Sequence, residues 1–408
     1  MTDQPSTAMA HVRYLAETIG PRGSTTPKEA EAAAYARQAL AGLGLQPATE
    51  PFTSARSAWW PYALAAWLVL MGEVLFLGAG RGGAIVAMPL TVAVIVSMLL
   101  ELTFRGNPLR WLLPKGQSQN VWAAIPAAEQ PKRRLVITGH LDSQRTPLVF
   151  KTDAWVRFFA TLVPLGLGSM LLSAVLFALG SFSEALLWRL LSLVPAAVIL
   201  LVLVLTLQAD TTPYTAGAND NASGAGIVLS LAARLQQAPL RHTEVWAVLT
   251  GCEEVGDYGA AAFAQRHRAD LAGAYWLALD NLGGLGAGPS YLRSETFLLT
   301  AKSDAELLRL ADALAARRPD LKAYGKAVRG SYTELSIGVK EGFPSLGFIG
   351  LRPDGGLPEW HRLTDTVANI DPDAVQRAET FVWELLREID LHTPVTLTTH
   401  VTPVTPVG

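Results

Sequence analysis

The stretch Gly-Ala-Asn-Asp-Asn-Ala-Ser-Gly at 217–224 leads into an apolar helical pattern and organises the interpretation of the chain. Three other polar stations also directly follow apolar runs: Gly-His-Leu-Asp at 139–142, Gly-Cys-Glu-Glu at 251–254, and Asp280. In a parallel α/β sheet, functional residues gather at the carboxyl ends of the strands. The four stations are therefore predicted to meet at one edge of such a sheet.

Composition limits the classes of protein that fit. The chain has 408 residues, of which 50% are hydrophobic and only 17% charged, which indicates membrane segments. A net charge of −2 without a long basic run argues against nucleic acid as a partner. The single cysteine, Cys252, excludes a disulfide framework and is interpreted as a packing residue. No signal peptide is expected, because no basic region precedes an apolar core at the N-terminus.

Four almost continuously apolar runs have about the length that a helix needs to cross a bilayer. They span residues 59–80, 84–104, 158–180 and 190–207. Two buried helical hairpins in a soluble core or in a dimer interface are the alternative, but four runs of this length exceed what globular helices usually need. Glu73 lies within the first run, where an ionisable group is either functional or turned toward the other helices.

The order of these runs predicts the domain organisation. Residues 1–57, 106–154 and 209–391 together form one soluble domain on one side of the membrane. Two hairpins, 58–105 and 155–208, are inserted into it as transmembrane segments, and 392–408 is a loosely ordered tail. Within the domain, strand patterns alternate with helical patterns, which predicts a three-layer α/β fold with a mainly parallel sheet.

Basic residues predict the orientation, because Lys and Arg are enriched on the cytoplasmic side of membrane helices. The far turns carry only Arg81 and Arg189. The domain side of the spans carries seven basic residues: Arg56, Arg105, Arg110, Lys115, Arg145, Lys151 and Arg157. The domain is therefore predicted to be cytoplasmic.

A metal site is indicated by the ordered set of polar stations and not by any one of them. A lone histidine at a strand end is usually structural, and an aspartate at a helix start is usually a cap. Here the set runs His-x-Asp at 140–142, Asp-Asn-x-Ser-Gly at 220–224, Glu-Glu-x-Gly at 253–256, Asp280, and His-x-x-x-Asp-Thr at 361–366. Imidazole and carboxylate groups in this combination indicate a metal site with nitrogen and oxygen ligands.

This set resembles the co-catalytic di-zinc aminopeptidases, which are family twenty-eight of the metallopeptidases. The resemblance covers residues 9–57, 116–144 and 209–390, and the four hydrophobic runs look like insertions. It implies that the soluble segments form a zinc peptidase domain of the aminopeptidase-like αβα type. It also implies two zinc ions per chain. The implied ligands are His140 and Asp280 for one ion, Glu254 and His361 for the other, and Asp220 bridging both.

The resemblance also assigns roles beside the metals. Glu253 would be the general base for a water held by the two zincs, and Asp142 would orient the histidine two residues before it. The peptide bond after Asp220 would be cis. Glu334 stands where the family often has Asp, so the substrate pocket is expected to differ. Tyr332 is either a donor to the developing oxyanion or a wall of the pocket.

The predicted function is a membrane-bound aminopeptidase that removes N-terminal residues from peptides by di-zinc hydrolysis. The expected partners are a peptide substrate, the lipid bilayer and a second copy in a homodimer. Three alternatives stay open: a single-zinc, glutaminyl-cyclase-like transferase, a carboxypeptidase or dipeptidase on the same metals, and a non-catalytic scaffold member. Side-chain preference cannot be read from the residues.

Overall fold

A computed structural model describes residues 7–392, so the predicted loose tail lies, from residue 393 onward, outside the described residues. The chain divides into two compact units whose segments alternate along the sequence. The first unit comprises the chain up to Ser54, Gln117–Gln144, and the chain from Thr215 onward. The second comprises Ala55–Gly116 and Arg145–Tyr214.

The helices and strands are numbered here in chain order across both units. The helices are α1 (Ala8–Arg13, continued by a π-helical segment, Tyr14–Ile19), α2 (Pro27–Gly42), α3 (Trp60–Ala79), α4 (Arg81–Glu101), α5 (Asp153–Phe182), α6 (Leu186–Asp210), α7 (Gly224–Gln237), α8 (Tyr258–Arg266), α9 (Ala305–Arg317), α10 (Glu334–Lys340) and α11 (Pro372–Leu391). The strands are β1 (Ala48–Ala55), β2 (Lys115–Ile125), β3 (Arg133–His140), β4 (Thr243–Thr250), β5 (Tyr275–Asp280), β6 (Gly288–Thr296), β7 (Thr300–Lys302), β8 (Tyr324–Arg329) and β9 (Ser345–Leu351).

The first unit is built on one mixed sheet with the strand order β1-β2-β4-β3-β5-β9-β6-β7, and β8 pairs with β6. The four central strands β4, β3, β5 and β9 are all parallel. Strand β2 is antiparallel to β4, and β6 is antiparallel to β9. The prediction of a mainly parallel sheet is therefore confirmed for its centre, where the predicted site residues lie.

Helices cover both faces of this sheet, which confirms the three-layer fold. On one face, Leu277 of β5 joins a large apolar cluster that includes residues of α1, α7 and α11. On the other face, the indole of Trp276 stacks on Phe343 and contacts Phe263 of α8. Alternate residues of a strand point to opposite faces, so a run as apolar as β5 must be buried on both sides.

The second unit contains α3, α4, α5 and α6, the four helices that are long and apolar enough to cross a membrane. All four occur where the sequence predicts spans, but α5 and α6 extend beyond the predicted runs at both ends. This unit also contains residues 55–57, 106–116, 145–154 and 209–214, which the sequence assigns to the soluble domain. One reason is aromatic packing, since the Phe150 ring lies 5.5 Å from Phe159 of α5.

Candidate metal centre

Three parallel strands bring the first site residues to one edge of the sheet. His140 is the last residue of β3 and Asp280 the last residue of β5, and β4 ends beside them at Thr250. The register pairs His140 with Thr250 directly. The loop that follows Thr250 therefore starts at the same edge and carries Glu253 and Glu254 into the space beside His140.

That loop turns sharply and is held by buried carboxylates. Cys252 has a φ of +56°, and its amide donates to Glu29 Oε1 at 2.9 Å. The two following amides donate to Asp142: the N–H of Glu253 to Oδ1 at 3.1 Å, and that of Glu254 to Oδ2 at 3.2 Å. Cys252 is fully buried beneath these groups, in agreement with a packing role.

Asp220 lies on an irregular turn, Ala218–Ser223, that leads into α7. The peptide bond between Asp220 and Asn221 is cis, as the resemblance predicts. The carboxylate of Asp365 accepts the amide of Asn219 at 2.6 Å and that of Asp220 at 3.1 Å. Asp365 lies four residues after His361, so the last predicted ligand enters the site from a loop that is bonded to this turn.

The structure brings all five predicted ligands together around the carboxylate of Asp220. Asp220 Oδ1 lies 3.3 Å from His140 Nε2, and Oδ2 lies 3.3 Å from His361 Nε2. Asp280 Oδ1 is 3.4 Å from His140 Nε2, and Glu254 Oε2 is 3.3 Å from His361 Nε2. The two oxygens of Asp220 thus face two separate sets of donors.

These separations fit tetrahedral zinc. With bonds of about 2.0–2.1 Å, two donors of a tetrahedron lie about 3.3–3.4 Å apart. The sets His140–Asp220–Asp280 and Asp220–Glu254–His361 both have spacing that can hold an ion. Within the site, the buried atoms His140 Nε2 and Glu254 Oε1 have no hydrogen-bond partner, as expected for atoms that bind metal.

Glu253 lies beside these two sets. It also forms a group of metal-binding spacing with His140 and Glu254. Its Oε2, however, is 3.9 Å from His140 Nε2, which is longer than the edge of a zinc tetrahedron. Glu253 is 6% exposed, so it is buried beside the two sets, and its distance from His140 makes it a poorer candidate for a metal ligand than their members.

The electrostatics of these side chains favour a bound cation. Burial lowers the pKa of His361, but Glu254 and Asp220 more than offset this and raise it to about 9. Burial and the nearby charge of Asp220 raise the pKa of Glu254 to about 7. Burial raises the pKa of Glu253 well above its usual value. Metal ions among these carboxylates would replace the protons that these groups otherwise hold.

Asp142 contacts both His140 and the loop that carries Glu253 and Glu254, whereas the sequence predicts only the contact with His140. Its backbone carbonyl lies 3.1 Å from His140 Nδ1, and its Oδ1 lies 3.5 Å from the same nitrogen. Its carboxylate also accepts the two loop amides and the hydroxyl of Ser24, the latter at 2.6 Å.

We expect Asp142→Asn to lower zinc affinity by about 10–100-fold. The amide nitrogen of asparagine would point at one or more of the N–H groups that the carboxylate now accepts. Competition with a chromophoric chelator measures the affinity.

The control for that variant is Ser24→Ala, which removes only one donor to the carboxylate of Asp142. Its effect on zinc affinity should be clearly smaller. An Asp142→Asn protein that binds zinc as tightly as the wild type would contradict the positioning role of this carboxylate.

The two predicted substrate-binding residues lie in different surroundings. Glu334 is only 3% exposed and accepts a hydrogen bond from the hydroxyl of Thr250, the last residue of β4. The ring of Tyr332 lies 5.5 Å from that of Phe297 in an edge contact. Glu334 is therefore a buried neighbour of the site, and the role of Tyr332 in substrate binding stays a prediction.

Sequence reasoning missed Asp257, because an aspartate three residues after Glu254 reads as a surface residue. It is fully buried, and both carboxylate oxygens lack a hydrogen-bond partner. Burial, with nearby Glu334 and Glu295, raises its pKa well above the usual value. The short distance in sequence from Glu253 and Glu254 could have indicated that Asp257 lies near the site. Its neighbours in the sequence do not indicate that it is buried.

We expect Asp257→Asn to make stability less dependent on pH. The pKa of the Asp257 carboxyl is higher in the folded protein than in the unfolded chain, where the group ionises above about pH 4, so the wild type loses up to about 1.4 kcal/mol of stability per pH unit between the two pKa values. Asparagine removes this loss and tolerates the φ of +55°. The gain in unfolding temperature should grow from pH 5 to pH 8.

A surface aspartate provides the comparison. The side chain of Asp354 is 70% exposed, and Asp354→Asn should leave the pH dependence of the unfolding temperature unchanged. Equal behaviour of the two variants would show that Asp257 is not held neutral by the fold.

Comparisons with known proteins agree with this architecture. Residues 201–386 match the family model described as Peptidase family M28. A search of curated protein sequences gives no match. The chain is similar to a glutaminyl cyclase from Bacteroides thetaiotaomicron bound to N-acetylhistamine, at 12% identity and a TM-score of 0.57, covering 95% of this chain and 98% of the other.

Two further solved structures are similar to the chain. A leucine aminopeptidase precursor from Bacteroides thetaiotaomicron has 13% identity and a TM-score of 0.57, covering 95% of this chain and 98% of the other. The zinc aminopeptidase BSAP from Bacillus subtilis has 13% identity and a TM-score of 0.56, covering 95% of each chain. These likenesses concern the fold. Residues 201–386 thus resemble peptidase family M28, and the solved structures support a zinc aminopeptidase-like fold for the chain.

Proposed function

We propose that this protein is a membrane-bound aminopeptidase that uses two zinc ions. The observation that carries the proposal is the position of Asp220, whose two oxygens each lie 3.3 Å from a different histidine. One carboxylate shared between two donor sets suits a pair of ions. In hydrolases, such pairs lie about 3.5–4 Å apart.

Each ion has its own residues in this proposal. His140 and Asp280 hold the first zinc, Glu254 and His361 hold the second, and Asp220 contributes to both. When bound, zinc supplies Lewis acidity, which polarises the carbonyl to be cleaved and makes water more acidic. Three carboxylates offset three of the four positive charges, so the occupied site keeps a small positive charge toward the substrate carbonyl.

Glu253 moves the proton. Its Oε2 takes a proton from the attacking water, and the resulting carboxylic acid delivers this proton to the nitrogen of the leaving amine. Burial raises the pKa of Glu253, which favours a group that must first accept a proton and then release it. Asp142 and Glu29 fix the loop that carries it, so its carboxylate needs little rearrangement.

A glutaminyl-cyclase-like transferase is the second candidate, because two of the similar structures bear the name glutaminyl cyclase. Five donors in two overlapping sets favour two ions over the single zinc of that alternative. Carboxypeptidase or dipeptidase activity would use the same donors. A scaffold role is disfavoured because all five ligand positions and Glu253 are present.

The membrane part of the proposal rests on α3, α4, α5 and α6, which are long and apolar enough to cross a bilayer. We propose a multi-pass protein with four spans and a cytoplasmic peptidase domain. The excess of Lys and Arg on the domain side supports this orientation. Labelling of a single cysteine introduced at Gly82, after Cys252→Ala, from either side of sealed vesicles would test it.

The function is tested by zinc content and substrate choice on detergent-purified protein. We expect two zincs per chain and hydrolysis of aminoacyl-amides, with little hydrolysis of the same amides acylated at the amine. Cyclisation of N-terminal glutamine with one zinc per chain would favour the cyclase. Release of C-terminal residues would favour a carboxypeptidase. Two zincs without any hydrolysis would keep the site and point to another class of substrate, and fewer than two zincs without hydrolysis would point to the scaffold.

A further inference from the structure

Arg22 is fully buried and binds the backbone of two loops of the metal site. Its Nε donates to the carbonyl of Leu141 at 2.6 Å, and its Nη2 donates to that of Gly217 at 2.7 Å. Leu141 directly follows His140, and Gly217 lies three residues before Asp220. The guanidinium therefore ties the chain beside His140 to the turn that carries Asp220.

Ser143 reinforces the same connection. Its hydroxyl accepts the backbone N–H of Arg22 at 3.1 Å and donates to the carbonyl of Thr215 at 2.9 Å. Arg22 Nη1 also donates to the carbonyl of Ala216. The carbonyls of the segment that precedes Asp220 are thus held from the His140 side.

Asp365 holds the same turn from the other side. Its carboxylate accepts the amides of Asn219 and Asp220, and its backbone carbonyl accepts the hydroxyl of Thr215 at 3.3 Å. It is fully buried and lies on the loop of His361. Arg22 therefore binds carbonyls that precede the bridging carboxylate, whereas Asp365 binds amides at it.

We propose that Arg22 and Asp365 are positioning residues that each set one half of the metal centre: Arg22 places Asp220 Oδ1 opposite His140, and Asp365 places Asp220 Oδ2 opposite His361. This inference rests on the proposed two-zinc site. Asp220 gives a different oxygen to each donor set, so a rotation of its carboxylate can lengthen the distance to one histidine and leave the other nearly unchanged. Each positioning residue connects Asp220 to the loop of only one histidine, so the two have separable effects.

The test measures zinc affinity in backgrounds that keep one half of the site. His361→Ala leaves the His140 set, and His140→Ala leaves the His361 set. We expect Arg22→Lys to weaken zinc binding by about 10–100-fold in the first background and by less than about threefold in the second. Asp365→Asn should give the reverse pattern. Lysine keeps the charge of Arg22 but cannot donate along the same fork.

The readouts are chelator competition and the visible spectrum of the cobalt-loaded protein, which reports donor geometry independently of activity. Asp390→Asn is the matched control, because Asp390 also accepts two backbone amides, those of Arg241 and His242, both at 2.8 Å. We expect it to lower the unfolding temperature without changing zinc affinity or the cobalt spectrum. A loss of zinc affinity in this control equal to that of Asp365→Asn would overturn the proposal.

Equal losses in both backgrounds, or no loss in either, would also overturn it. If Arg22→Lys does not fold, Ser143→Ala tests the role of Arg22 instead, because it removes only the hydroxyl that connects Arg22 to Thr215. We expect it to weaken zinc binding to the His140 set by about fivefold, and an unchanged affinity would overturn the proposal. If the wild type binds a single zinc, the proposed function fails, while the effect of each variant on that ion still tests the positioning roles.

Discussion

Replacing Glu253 with glutamine is expected to lower kcat for aminoacyl-amide hydrolysis by about 10²–10⁴-fold, the usual contribution of general acid–base catalysis. Glutamine has nearly the shape of glutamate but cannot take a proton from water. The zinc content should stay at the wild-type value, because Glu253 Oε2 is farther from His140 Nε2 than the carboxylate oxygens of Asp220 and Asp280 are. Steady-state kinetics with zinc analysis of the same preparation measure both.

Glu295 provides the matched control for this variant. It is also a buried glutamate of the first unit, but Thr333 and Ser336 hydrogen-bond its carboxylate, which is consistent with a structural role. Glu295→Gln should change the unfolding temperature and leave kcat within a few-fold. Glu253→Gln protein that loses zinc would instead make Glu253 a ligand, in agreement with its place in the third group of donors. A variant that retains both zinc and kcat would remove Glu253 from the mechanism.

Replacing Asp220 with asparagine is expected to have the largest effect on metal content, from two zincs to less than one per chain. Both oxygens of Asp220 face donor sets, and an amide offers one weak oxygen ligand and no charge. Both sites therefore lose a negative ligand together. His361→Ala, by contrast, should keep about one zinc, because His140, Asp220 and Asp280 remain.

Zinc analysis after dialysis against a metal-buffered solution distinguishes these results, and circular dichroism shows whether each variant is folded. A folded Asp220→Asn protein that retains two zincs would contradict the bridging role. If Asp220→Asn and His361→Ala each lose one zinc, Asp220 serves one ion only. The proposed pairing of Glu254 with His361 around a shared carboxylate would then need revision.

The centre of the fold is predictable because burial on both faces makes β3, β4 and β5 plainly apolar and ends each at a polar residue. Strand β8 is not predictable in this way, since its residues are half-buried or exposed and its pairing with β6 has an irregular register. Strand β1 alternates half-buried and exposed residues over its first six positions, which leaves few apolar residues to mark it. Edge strands carry a weaker periodic signal than central ones.

The position of most predicted ligands follows from the same pattern, since His140, Glu254 and Asp280 end or follow a strand and Asp220 precedes α7, whereas His361 lies in a loop. Their supports were not predictable. Arg22 reads as part of a helix-breaking Gly-Pro-Arg-Gly segment, because its partners Leu141 and Gly217 are 119 and 195 residues away. Glu29 reads as half of a capping box, and its carboxylate does accept the amide of Thr25, but it also binds Cys252 from 223 residues away. Contacts of this range have no local signature.

The alternation of the two units along the chain has a consequence for biosynthesis. Strand β3 is made early, but its neighbours β4 and β5 follow the second pair of apolar helices. His140 therefore leaves the ribosome more than two hundred residues before His361, a delay on the order of tens of seconds at usual rates of translation. For about the first half of that time, until β4 has been made, β3 is an apolar strand without either of its sheet partners. A nascent chain stalled before residue 243 should consequently depend on a chaperone or aggregate, whereas one released after α11 can close the sheet by itself.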